Sequence, residues 1–198
     1  MNIEPVTLEG KHVRLEPLSL DHHEALTEAG MHEDIWRLNP TPVRTSEDMR
    51  AYIAEALLAQ GRGTMLPFAT VEKSSGLAIG STRYGNIEMA HRRLEIGWTW
   101  ITPRWQRTAV NTEAKYLMLR HAFEQLGCMR VEFKTDVLNE RSRNAILRLG
   151  AKEEGIFRKH MLTSTGRIRD TIFFSIIDSE WPEVKANLER RLESREPR

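Results

Sequence analysis

Gln106, Arg107, Thr108, Ala109, Val110, Asn111 and Thr112 form a polar, small-residue run between a strand-like stretch, "EIGWTWI", and a helix-like one, "AKYLMLRHAF". At a helix N-terminus several backbone N–H groups lack intrahelical partners and carry the positive end of the dipole, so such a junction can seat a pyrophosphate. The hydroxyls of Thr108 and Thr112 and the amide of Asn111 would add donors. The same residues also fit an ordinary helix start capped by Asn111 or Thr112, with Glu113 well placed for the dipole. No glycine stands in the loop. A left-handed backbone at Ala109 would cost on the order of 1–2 kcal/mol, whereas Asn111 tolerates that region better. In the preceding strand, alternation puts Glu95 on one face with Gly97 and Thr99, and Leu94, Ile96, Trp98 and Trp100 on the other. Asn139 and Ser142 open "NERSRNAILRLG", where either can cap a helix. His22, His23 and His32 lack the one-turn spacing of a metal pair, so no metal is expected.

These residues need a frame. "HVRLEPL" reads as a strand, and "SLDHHEALTEAG" as a helix capped by Ser19 or Asp21 and stopped at Gly30. "TSEDMRAYIAEALLAQG" repeats that grammar from Thr45 or Ser46. Between these helices lies a two-proline loop that makes Trp36 a candidate cleft residue, while Trp98 and Trp100 read as core. "MLPFATVEK", "LAIGSTRYGNI" and "RRLEIGWTWI" then form a three-strand antiparallel meander. After the polar loop comes a long apolar-faced helix through Leu126, the strand "MRVEFKTDV", and a helix closed by Gly150. Two further strands joined by "TSTG" and a final helix striped by Trp181, Val184, Leu188 and Leu192 complete the chain, with "ESREPR" expected to fray. One strand–helix–strand crossover forces two strands parallel. The expected class is α+β, with a mixed, mostly antiparallel central sheet of about seven strands flanked by helices.

A chain of 198 residues with 40% hydrophobic content supports one domain over 1–198. Twenty-nine basic residues against 28 acidic ones give no general field for nucleic acid. No apolar run is long enough for a membrane span, and no leader pattern opens the chain. Cys128 stands alone, in keeping with a reducing cytoplasm.

The order of elements, with its polar loop at the crossover, resembles the GNAT superfamily of acetyl-CoA-dependent N-acetyltransferases over nearly the whole chain. "EIGWTWITPRWQRTAVNTEAKYLMLRHAF" is similar to the family's acetyl-CoA motif, whose two small loop positions correspond to Ala109 and Asn111. "VLNERSRNAILRLGAKEEGIFRKH" is similar to its Asn-x-x-Ser helix, and "LEGKHVRLEPL" to the opening strand of the RimJ/RimL-like branch, whose members acetylate N-terminal amines of ribosomal proteins. The resemblance implies acetyl-CoA as co-substrate, held by Gln106 to Thr112 and by the backbone of Trp100, Ile101 and Thr102. It implies further that Asn139 bonds the cofactor arm and that Ser142 lies near the sulfur as a proton donor. The usual catalytic tyrosine has no counterpart after Gly150. Glu95 is the candidate base, acting through a water, against the alternative of a strand glutamate paired with Arg93 or another base. The expected acceptor is a peptide α-amine, whose pKa of about 7.7–8.0 asks less of a base than the roughly 10.4 of lysine. A small-molecule amine and a non-catalytic acetyl-CoA-binding module are the competing readings, and a homodimer is left open.

Overall fold

A computed structural model describes Met1 and residues 3–194. Strand β1 (Leu8–Glu9) pairs with β2 (Val13–Pro17). A 3-10 turn (Leu20–His22) leads into α1 (His23–Gly30), α2 (Glu33–Trp36) and α3 (Ser46–Gly61). Strands β3 (Leu66–Glu72), β4 (Ala78–Glu88) and β5 (Arg93–Ile101) form the expected meander. Next come α4 (Ala109–Arg120), extended by a π-helical turn (His121–Gln125), then β6 (Arg130–Asp136) and α5 (Glu140–Leu149). The chain ends with β7 (Lys152–Leu162), β8 (Ile168–Ile177) and α6 (Trp181–Glu193). Of the tail expected to fray, residues 195–198 lie outside the described residues. Among the described residues no helix is long and apolar enough to cross a membrane.

The local signals work as chemistry requires. Ser19 and His22, and Thr45 and Asp48, form reciprocal capping boxes, each satisfying two backbone N–H groups that the helix leaves open. Gly150 closes α5 in the left-handed conformation at φ 101°, where a side chain would be strained.

The sheet has eight strands in the order β1-β2-β3-β4-β5-β6-β8-β7. It exceeds the seven expected because the two-residue β1 is too short to leave a pattern of its own. Every pairing is antiparallel except β5 with β6. One face carries α4, α5 and α6, packed through residues such as Met118, Ile146 and Leu188 onto Leu94, Ile96, Val131 and Phe174. The other face carries α1 and α3 over β3, with Leu26, Met49 and Ile53 against Ala69 and Trp100. Covered on both sides, β3 is buried at every position, whereas β7 at the sheet edge is almost entirely exposed.

At the β3–β4 turn the buried carboxylate of Glu72 accepts from the backbone N–H and hydroxyl of both Ser74 and Ser75, at 2.7–2.9 Å. Burial opposes its ionisation, but these bonds outweigh burial and hold the carboxyl down at about 2. Because the folded value lies below the unfolded one, this turn stabilises the protein above pH about 4.5 and loses that contribution as pH falls toward 2. A Ser74→Ala/Ser75→Ala variant should therefore denature at higher pH than the parent in an acid titration followed by circular dichroism. Coincident curves would refute this.

Candidate active site

Strands β5 and β6 are paired only over Arg93, Leu94 and Glu95 against Arg130, Val131 and Glu132. Beyond this point β5 continues along β4 to Ile101, and β6 continues along β8 to Asp136. The two strands thus part and leave a slot through the middle of the sheet. On β5 the parting coincides with a bulge, since Arg83 faces Gly97 but Ser81 faces Trp100, so three steps on β5 oppose two on β4. Trp98, inside the bulge, takes φ 51°, an uncommon conformation for a bulky side chain.

The extra residue reverses the side-chain alternation. Leu94 and Ile96 belong to the core under α4, whereas Trp100 joins the core under α1 and α3. The expected grouping of Leu94, Ile96, Trp98 and Trp100 on one face therefore fails at the bulge, as does that of Thr99 with Glu95. Trp98 is half-exposed, its ring 5.6 Å from Lys134 Nζ and 5.8 Å from the Arg83 guanidinium. Gly85 makes room for it, because a Cβ there would stand 2.3 Å from the indole. Trp100 is core as read from sequence, whereas the roles of Trp36 and Trp98 are the reverse of those read there. Trp36 is buried in the core against Trp100 and Tyr52, with its indole N–H donating to Gly30 O, and Trp98 lines the cleft.

Glu95 is 2% exposed and lies on the face away from α4. Its Oε2 accepts from Asn86 Nδ2 at 2.7 Å and pairs with Lys134 Nζ at 2.9 Å. Arg93 pairs instead with Glu132 and Glu88. The other oxygen, Oε1, sits over Gly97, where an added Cβ would approach to 2.6 Å. Glu95 therefore keeps one carboxylate oxygen in a place cleared by a missing side chain, on the rim of the slot. Above this face the hairpin tip between β7 and β8 meets the loop before α3, where Ser164 donates to Pro40 O through both its backbone N–H and its hydroxyl, each at 3.0 Å.

At the other end of the slot the polar loop is tied down. Thr102 N–H donates to Ile79 O on β4, so alternation turns the backbone groups of Ile101 toward the slot and those of Trp100 and Thr102 toward β4. Of the three backbone positions expected to meet pantetheine, Ile101 is the one that faces the opening. Its carbonyl accepts from Gln106 Nε2 at 2.9 Å, and Gln106 Oε1 accepts from Arg141 Nη2 on α5. Gln106 is a latch between the end of β5 and α5. The left-handed residue is Arg107, at φ 63°, and Ala109 is already helical, so the missing glycine at Ala109 removes nothing. The cap is Thr108, whose hydroxyl donates to Trp105 O at 2.8 Å and accepts from Val110 N–H at 3.3 Å. Asn111 and Thr112, the caps considered from sequence, fall inside the first turn.

The N–H groups of Ala109 and Asn111 have no partner within the helix, and the exposed Arg107 stands at the mouth of the loop. Asn111 Oδ1 is buried with no hydrogen-bond partner among the described residues. A buried amide oxygen without a donor favours a ligand that brings one, or a flipped amide that offers its NH2. The first turn of α4 thus fits an anionic ligand with polar groups. Asn139 caps α5, its Oδ1 accepting from Ser142 N–H at 3.0 Å, which leaves its amide donors for another partner. Val110 is buried in the core under α4 and contributes packing.

Asn86, Lys134 and Lys115 do not stand out in the sequence, and Glu113 reads there only as a residue suited to the helix dipole. Lys134, Lys115 and Glu113 act on elements far away in the chain, and a single sequence carries no sign of that.

A family model described as the acetyltransferase (GNAT) domain matches residues 12–152. The protein YdaF of Bacillus subtilis (strain 168), provisionally named a ribosomal N-acetyltransferase, is 31% identical over 106 residues, 54% of this chain and 57% of YdaF. The chain spans little more than half the length of the curated relatives it matches. A solved GCN5-related N-acetyltransferase from Brucella melitensis is 35% identical, with a TM-score of 0.89 over 96% of this chain and 86% of that one. Mycobacterium smegmatis RimJ, solved in complex with CoA-disulfide, shares the fold at a TM-score of 0.80 and 22% identity, covering 96% of each chain.

Proposed function

We propose, because the chain belongs to the acetyltransferase (GNAT) domain family, that it is a cytoplasmic N-acetyltransferase carrying acetyl from acetyl-CoA to a primary amine, with a protein or peptide N-terminal α-amine as acceptor. The observation that carries this reading is the slot between β5 and β6, with Glu95 on one rim and the start of α4 beyond its far end.

Acetyl-CoA supplies an acetyl thioester. The N–H groups at the start of α4, with Arg107, suit its phosphates, and the backbone of Ile101 suits its amide-bearing arm. Asn111 and the amide donors of Asn139 complete the binding set, while Ser142 lies one turn into α5. On the opposite face, Glu95 Oε1 takes the proton released by the attacking amine, directly or through a water. A carboxylate base serves an α-amine, with a pKa of about 7.7–8.0, better than a lysine side chain near 10.4. The resemblance to YdaF points the same way.

Calorimetry with acetyl-CoA, followed by a thiol-release assay over peptides and small amines, tests the reading. Micromolar binding with turnover on peptide N-termini is expected. Turnover confined to small amines would move the acceptor, binding without turnover would leave a binding module, and no binding would overturn the proposal.

A further inference from the structure

Lys115, on α4, is 6% exposed, and the groups that meet its ammonium are hydroxyls rather than carboxylates. Nζ donates to Thr82 Oγ1 at 2.9 Å and to Thr99 Oγ1 at 2.5 Å, and the two hydroxyls are 2.8 Å apart. The titratable groups on the surrounding elements are engaged elsewhere. The Glu113 carboxylate faces the β1–β2 turn, the Tyr84 hydroxyl on β4 donates to Met118 O, and the Tyr116 hydroxyl donates to Glu189 on α6. Glu95 of β5 lies across the sheet. Burying an amine without a counter-charge is unfavourable, and an apolar side chain of similar length would fill the same space. The consequence for Lys115 is that burial pushes its amine down to about 7, so that it exchanges a proton near neutral pH.

The triangle has a buried end and an open end. Thr99 is exposed and belongs to the bulge, between Ile101, which faces the slot, and Glu95. Its hydroxyl lies on the α4 side of the sheet, opposite Glu95. A thioester whose arm runs along Ile101 toward Glu95 must bring its sulfur past Thr99. We propose that Thr99 Oγ1 is the catalytic group that protonates the departing sulfur and that Lys115 is the positioning residue that resupplies its proton. This rests on the acetyl-transfer reading above. As the carbon–nitrogen bond forms and the carbon–sulfur bond breaks, Glu95 takes one proton from the amine nitrogen on one face. Thr99 gives its proton to the sulfur on the other face and receives one from Lys115 Nζ. Solvent then reprotonates Lys115 and removes the proton from Glu95. The assignment fills the place of the absent tyrosine.

Thr99→Val and Lys115→Met are each expected to lower kcat by about 10²-fold, with acetyl-CoA affinity unchanged and Thr99→Ser close to parent. The fall in kcat as pH rises through the ionisation of Lys115 should disappear in Lys115→Met. A second readout needs no turnover and no stable Lys115 variant. In protein carrying 13C-labelled lysine, the titration midpoint of Lys115 should rise when CoA is bound, because a thiolate favours the ammonium, and stay put with desulfo-CoA. Equal midpoints with both ligands, or acetyl transfer at parental rates in Thr99→Val, would overturn the inference while leaving the acetyltransferase reading intact. Failure of the parent to bind either ligand would overturn both.

Discussion

A Glu95→Gln variant should bind acetyl-CoA as the parent does yet turn over on the order of 10²-fold or more slowly, because a positioned base is removed while the shape of the site is kept. Glutamine can still accept from Asn86 and Lys134 through its amide oxygen, and it presents an NH2 where Glu95 Oε1 overlies Gly97. The stability loss should be smaller than the 3–5 kcal/mol typical of breaking a buried ion pair, since the Lys134 side chain is 21% exposed and reaches water. The check is kcat against pH on a peptide acceptor, with urea denaturation alongside. An unchanged rate and profile would remove Glu95 from the chemistry. Gly97→Ala offers a geometric control: the carboxylate remains, but a methyl group is driven against Oε1, so kcat should fall without loss of the acid itself.

The largest expected effect on stability lies far from the slot. The carboxylate of Glu113, the fifth residue of α4, accepts from the backbone N–H groups of Lys11, His12 and Val13 at 2.8, 2.7 and 2.8 Å. Three successive donors converge on one anion that is itself 5% exposed. Gly10 permits the approach, because a Cβ there would stand 2.5 Å from Glu113 Cδ. Glu113→Ala leaves three donors without a partner and should cost about 3–5 kcal/mol in urea denaturation, a large share of ordinary domain stability. A loss below about 1 kcal/mol would show that water replaces the carboxylate freely. From sequence Glu113 was a residue suited to the helix dipole, and the structure makes it the tie between the β1–β2 turn and the helix that begins the candidate cofactor site.

What could be read from sequence was local. Thr45 with Asp48 and Gly150 announce helix ends because each signal lies within one turn of the backbone it satisfies. The meander and the crossover follow from period and connection length. The bulge at Trp98 escaped because it is a mismatch between two strands, visible only when Arg83 and Ser81 are counted against Gly97 and Trp100. Strict alternation then misplaced Thr99 and Trp100. Asn139 illustrates the opposite case: cap and cofactor ligand were both open, and its oxygen serves the cap while its amide donors remain for a ligand.

The three-residue ladder between β5 and β6 also bears on how the chain assembles. Strands β1 to β5 form one antiparallel set and β6 to β8 another, and the two sets meet through Arg93–Glu95 against Arg130–Glu132. Within them, β3–β4, β4–β5 and β7–β8 join strands adjacent in sequence. Contacts of low sequence separation form early, whereas a parallel pairing waits for its crossover helix. In refolding followed by pulse-labelled amide exchange, these three hairpins should therefore gain protection before the β5–β6 ladder does. The slot is then framed only after the hairpins on either side of it.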